Sequence, residues 1–340
     1  MPYLSAGRLR SFGLGRVLVL FVLVFTAFAL VLFVQLRPDY LHPTEIGTDV
    51  STYFGAGQRL ISGREIYAMS PGDRPMPIWP PFWTVPLVAP PTVAVLWAPL
   101  VAFLPPILSI YGWWLAAFAA TAATYMWIVT RGNAPVVIAA ALLSFATIIT
   151  GLTGNVNGLL IGGLSAVWFL SRGPRTGPRD VAIGVILAFA TALKFGPAVF
   201  GLWLLAERRW RAAAAAAVGG IVIAGLTVLV AGPDIVPTYL HVAGDAATAG
   251  VTAQSVGGML RSLGLPEVVV VAAPAGVIVL SGVLAFAFRR RPGVAFSIVA
   301  IGATFALPVV RYETLSFLLV ALVPWTRALR GSPSAVGVAK

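Results

Sequence analysis

The strongest constraint in this chain is a rhythm of apolar runs of membrane-spanning length, punctuated by clusters of arginine. Basic residues gather at Arg8/Arg10/Arg16, Arg131, Arg172/Arg175/Arg179, Arg208/Arg209/Arg211, Arg289/Arg290/Arg291 and Arg327/Arg330/Lys340. Lys and Arg beside apolar spans mark the cytoplasmic side of a membrane. Successive clusters on one side therefore require an even number of crossings between them. Composition agrees: 59% of residues are hydrophobic and 10% charged, against roughly 25% charged in a soluble domain. The chain reads as an all-α, multi-pass protein of the cytoplasmic membrane, with both termini inside. Its formal charge of +12 then reads as cytoplasmic anchors, not as a nucleic-acid surface.

Parity assigns the ambiguous segments. Val17 to Leu36 is long enough to span and no small-residue cleavage site ends it, so it reads as a retained first helix. Tyr111 to Thr130 brings the chain back. The apolar run Val85 to Leu104 is then surplus; its prolines (Pro86, Pro90, Pro91, Pro99) each remove a backbone donor, which places it outside or partly embedded. Pro135 to Thr150 goes out, GLTGNVNG (151–158) turns, and Leu159 to Leu170 returns. As one helix, Val181 to Ala206 would strand Arg208, Arg209 and Arg211 outside. Split at Lys194-Phe195-Gly196-Pro197, it becomes two short helices whose tip faces outward, below the membrane surface. Ala212 to Val230, Val268 to Phe288, Val294 to Val310 and Leu315 to Leu329 complete ten helices.

This organises residues 1–340 as a single transmembrane domain. A first helix covers 16–36, a long external loop 37–106, a helical core 107–231, a second external loop 232–267 and C-terminal helices 268–330. Nine of the eleven acids fall outside in this arrangement, although they played no part in choosing it.

The unexplained polar chemistry collects on that external side. Residues 48–62, TDVSTYFGAGQRLIS, read as a helix with Val50, Tyr53, Phe54, Gly57, Leu60 and Ile61 on one stripe, as in a helix lying on a bilayer. Asp49 at its start fits helix capping and also fits a general base taking a proton from an attacking hydroxyl. Lys194 at membrane depth is costly and points to function, with snorkelling to the interface as the plain alternative. Arg311 is a second candidate for a phosphate, or an anchor at a helix end. Tyr53, Asn155, Asn157, Gln254 and Glu313 are candidate substrate-binding groups, the asparagines serving equally to cap helix ends. Trp79, Trp83 and Trp97 read as interfacial belt residues. The chain has no cysteine and only two histidines, His42 and His241, so no metal site is expected, and no nucleotide-binding motif is present.

Several motifs in order carry a family resemblance. They are TDV-x-x-Y-x-x-x-G-x-x-L-x-x-G-x-x-x-Y (48–67), W-P-P-F (79–82), W-x-P-L (97–100), N-V-N (155–157), A-x-x-L-K-F-G-P (190–197), E-R-R-W-R-A (207–212) and A-Q-S-V-x-G-M-L (253–260). Together they resemble glycosyltransferase family 87. Two positions differ from its pattern: Asn155 stands where Gln is usual, and Pro308-Val-Val-Arg311-Tyr312-Glu313 lacks the family's Trp and His. The resemblance implies a GT-C-like fold and an inverting transferase on the external face. It implies a polyprenyl-phosphate sugar as donor, mannose above all, and a lipid- or glycan-linked hydroxyl as acceptor. It implies Asp49 as general base and no cofactor, while the need for a divalent cation stays open. The donor-phosphate role of Lys194 rests on its charge and depth instead. Two other classes compete: a transporter or flippase of a lipid-linked or phosphorylated sugar, and a non-catalytic assembly partner.

Overall fold

A computed structural model describes residues 48–68, 87–249, 255–307 and 310–326, and every regular element among them is helical. The expected first helix and the W-P-P-F run lie outside the described residues.

α1 (Thr48–Ile61) and α2 (Thr92–Phe103) precede α3 (Pro106–Arg131). Pro106 opens α3, where its missing N–H and fixed φ cost nothing. α4 (Ala134–Leu142) is capped by Asn133, whose side chain accepts from the Val136 N–H at 3.2 Å. α5 (Ser144–Thr153) continues it at a bend of 49°. α6 (Asn157–Ser171) and α7 (Gly177–Leu193) follow, then a 3-10 turn (Gly196–Val199) and α8 (Phe200–Ala206). α9 (Trp210–Ala231), α10 (Ile235–Ala249), α11 (Val256–Ser262), α12 (Glu267–Ala287) and α13 (Pro292–Phe305) lead to the short α14 (Tyr312–Leu315) and α15 (Leu318–Leu322).

Among the described residues α3, α9 and α12 are long and apolar enough to cross a membrane, and the bent pair α4–α5 makes a fourth candidate. Shorter apolar helices, including α2, α6 and α13, stand beside them. α9 and α12 are the barest, with leucine, isoleucine and valine side chains such as Leu229 (79% exposed) and Val279 (64%) facing outward. In water such a surface would be a liability; in lipid it is the ordinary exterior.

The break expected at Lys194 is present: α7 ends at Leu193 and the chain resumes as a 3-10 turn at Gly196. The excursion returns to where it began. Arg209, just past α8, donates to Asp180 in the first turn of α7 at 2.6 Å and also to the Ser171 carbonyl. Arg175 donates to the Glu207 carbonyl at 3.0 Å. The start of α7 and the end of α8 are thus pinned together, with the Lys194 tip at the far end of both.

The core behind that tip is aromatic. Phe296 of α13 is fully buried between Trp168 (5.0 Å), Phe200 (5.1 Å) and Trp203 (5.0 Å). It joins α6, α8 and α13 into one packed unit.

α1 differs from expectation in a telling way. Protein covers most of its apolar stripe: Val50, Tyr53 and Phe54 are buried, as are Ser51, Thr52, Ala56 and Arg59 on the other faces, while Ile61 at the end of the stripe is 51% exposed. Gly57 makes this possible, because a Cβ there would stand 3.0 Å from the Cβ of Trp97 on α2. Trp97, expected in an interfacial belt, is wholly buried beneath Tyr53, Phe54 and Trp113. An amphipathic period reports that one face is covered; it does not say whether lipid or protein covers it.

Candidate functional site

The site is built on the turn that joins α5 to α6. α5 ends at Gly154, whose φ of 66° lies in the left-handed region that glycine enters without strain. Two tryptophans of α3 hold the turn from below. Trp113 Nε1 donates to the Gly154 carbonyl at 3.1 Å, and Trp114 Nε1 donates to the Gly151 carbonyl. The left-handed glycine reverses the chain and leaves Asn155 and Asn157 both inside.

Each asparagine grips a charged residue from elsewhere in the chain. Asn155 Nδ2 donates to Asp49 Oδ2 at 2.9 Å. Its Oδ1 accepts the Asn157 backbone N–H at 2.8 Å, which fixes the amide so that its donor end faces the carboxylate. Asn157 Oδ1 accepts from Lys194 Nζ at 2.9 Å, while its Nδ2 donates to the Glu313 carbonyl at 3.0 Å. That carbonyl also accepts from Thr150 (2.9 Å) and Ser316 (2.6 Å). Tyr53, one turn on from Asp49, presents its hydroxyl to the Val156 N–H at 3.4 Å. One turn of three residues therefore gathers α1, the Lys194 tip and α14.

Electrostatics follow from the enclosure. Burial pushes the Asp49 carboxyl above the ordinary carboxylate range; the hydrogen bonds from Asn155 and Thr153, then the charges of Lys194 and Arg311, pull the other way. Glu313 and Lys194 act on one another by charge, and the charge of Asp49 acts on Glu313. A raised but hydrogen-bonded carboxylate beside a lysine is a base next to a cation, which is what a reaction needs if it removes a proton and releases a negative leaving group.

The expected site residues are distributed as follows. Asp49, Tyr53, Asn155, Asn157, Lys194 and the Glu313 backbone meet at the turn. Arg311 is exposed at its edge, close enough to act on Asp49 by charge. Gln254 lies outside the described residues. The side chains of Tyr53, Asn155 and Asn157 are buried and hydrogen-bonded within the protein, Asn155 to Asp49, Asn157 to Lys194 and Tyr53 to the Val156 N–H. Thr150, Thr153, Gly154 and Ser316 belong to the same constellation and were not singled out from sequence; only the left-handed glycine in GLTGNVNG carried a readable signal. His241 pairs with Asp245 on the exposed side of α10 at 3.5 Å. Among the described residues no three His, Asp or Glu side chains are grouped so as to hold a metal ion.

A model of glycosyltransferase family 87 matches residues 88–311. The match takes in Asn155, Asn157, Lys194 and Arg311, with Asp49 before it and Glu313 just beyond. No curated protein and no solved structure matches the chain.

Proposed function

The chain belongs to glycosyltransferase family 87, and from that premise we propose that it moves a sugar, mannose foremost, from a polyprenyl-phosphate donor to a lipid- or glycan-linked hydroxyl. The proposed setting is a GT-C-type fold in the cytoplasmic membrane with the site on the external face. The observation that carries the reading is the single turn that holds a carboxylate at one end, through Asn155, and an ammonium at the other, through Asn157.

In this reading Asp49 accepts the proton of the acceptor hydroxyl as that oxygen attacks the anomeric carbon. The bond from the anomeric carbon to the phosphate oxygen breaks on the opposite face, so the sugar carbon inverts. The polyprenyl phosphate departs with the bonding electrons, and Lys194 and Arg311 meet its growing charge. Lys194 has two donors left after its bond to Asn157. The proton then leaves Asp49 to solvent or to the departing phosphate, which restores the base. No metal or nucleotide is required by this scheme.

The test is transfer by the purified protein from a panel of radiolabelled polyprenyl-phosphate sugars, read also for slow hydrolysis when no acceptor is added. A labelled sugar released by the wild type and not by Asp49→Asn supports the reading. Flux of intact donor across vesicles with no covalent product would replace it with a flippase.

A further inference from the structure

An apolar cavity of about 430 Å³ opens between α6, α7 and α9. Its position relative to the turn is specific. Leu193, the residue before Lys194, and Leu160, one helical turn on from Asn157, line one end. From there the α7 wall runs back through Phe189 to Val185, and Gly163 of α6 and Gly219 and Val222 of α9 form the other walls. Every lining side chain is apolar. The glycines leave the space: a Cβ on Gly219 would stand 2.9 Å from that of Ala188, and one on Gly163 would reach 3.4 Å from Ile186. Val185 (53% exposed), Phe189 (40%) and Val222 (53%) form an open, apolar rim.

We propose that this groove binds the phosphate-proximal isoprene units of a polyprenyl phosphate and that it reads only the first few of them. The proposal rests on the lipid-phosphate reading of the site and goes beyond it in naming where the tail lies and how much of it is recognised. Continuity picks the occupant: a chain whose phosphate sits at Lys194 leads directly past Leu193. Length sets the limit. Val185 to Leu193 spans roughly 12 Å of helix, against roughly 5 Å for the four-bond repeat of an isoprene unit, so about two to three units fit. The hydrocarbon core is about 30 Å thick, so the remainder of a long tail stays in the bilayer. Lipid is as apolar as the groove, and binding there gains only dispersion contacts with fixed walls. Units beyond the walls gain nothing.

The experiment measures binding of geranyl, farnesyl, geranylgeranyl and undecaprenyl monophosphate to the full chain in nanodiscs, with ligand expressed as its mole fraction in the lipid. Affinity should rise several-fold from geranyl to farnesyl and then level off through undecaprenyl. Gly163→Leu, which fills the groove, and Val222→Trp, which narrows its open mouth without touching the core, should each flatten that rise. Asp49→Asn should leave it unchanged while abolishing transfer. An affinity that keeps climbing to undecaprenyl, or a rise untouched by both groove variants, overturns the proposal, and the assignment of Asp49 as base would still stand. Loss of transfer in the groove variants with an unaltered length profile also counts against it.

Discussion

Asn155 holds Asp49: its amide nitrogen donates to the carboxylate at 2.9 Å across 106 residues of sequence. Because Asn155 Oδ1 is occupied by the Asn157 N–H, the amide cannot turn its acceptor toward the acid. The carboxylate therefore always meets a donor, which favours its ionised form against the cost of burial.

Asp49→Asn removes the proposed proton acceptor while keeping size and polarity. Sugar transfer should fall by about 10²–10⁴-fold, the usual scale for losing a general base. Thermal unfolding in detergent should shift little. Initial rates with a labelled donor, taken beside the melting curve, check both; full activity would remove Asp49 from the chemistry.

The pH dependence follows from the same carboxyl. Asp49 must be ionised to accept a proton, and burial raises its pKa above the ordinary carboxylate range. Activity should be present above that raised value and fall as pH drops through it, so the acid limb lies higher than for an exposed aspartate. Asn155→Ala removes a hydrogen bond that lowers the value. Its acid limb should move to still higher pH, a shift that a purely structural role for Asn155 would not produce.

Lys194→Ala should raise the donor KM and reduce turnover on the order of 10²-fold, as for loss of one donor to a developing oxyanion. Asn157→Ala should give a smaller rise in KM, because the ammonium remains but loses the oxygen that aims it. Saturation curves against donor concentration separate the two. An unchanged donor dependence in Lys194→Ala would take it out of the phosphate site.

Gly154→Ala should cost about 1–2 kcal/mol from the left-handed backbone alone, since φ there is 66°. The added Cβ would also press on Val50 of α1. Moving α1 moves Asp49, so transfer should fall further than stability does. Unfolding midpoints and rates on the same preparation test that difference.

Arg209→Ala leaves Asp180 buried without its cation, at a cost of about 3–5 kcal/mol. Both side chains are nearly inaccessible, at 3% and 8% exposed. The double variant Arg209→Met, Asp180→Leu should recover most of the loss. Thermal unfolding of the wild type and the two variants checks the order. Equal stability of the single and the double variant would mean that the ion pair does not pin α7 to α8.

Much of the architecture was legible because lipid imposes simple rules. A crossing needs a long apolar run, and arginines stay on one side. These two facts located α3, α9 and α12 and forced the break at Lys194, where the helix does stop. Lys194 stood out for the same reason, since charge in an apolar chain is conspicuous; Asp49, one of several acids in its loop, stood out by its place at the start of the amphipathic stretch and by the family resemblance. The span at residues 17–36 and the candidate Gln254 lie outside the described residues.

What sequence determined, then, were quantities local to a stretch of chain: length, polarity and period. The tertiary structure decided which surfaces cover one another. It buried α1 in protein where the period alone allowed lipid, sank Trp97 into the core, and turned the two asparagines inward onto Asp49 and Lys194. None of this could be read locally, because a hydrogen bond between residues 106 positions apart depends on how every intervening helix packs. A side chain's chemistry is written in the sequence; its partner is chosen by the fold.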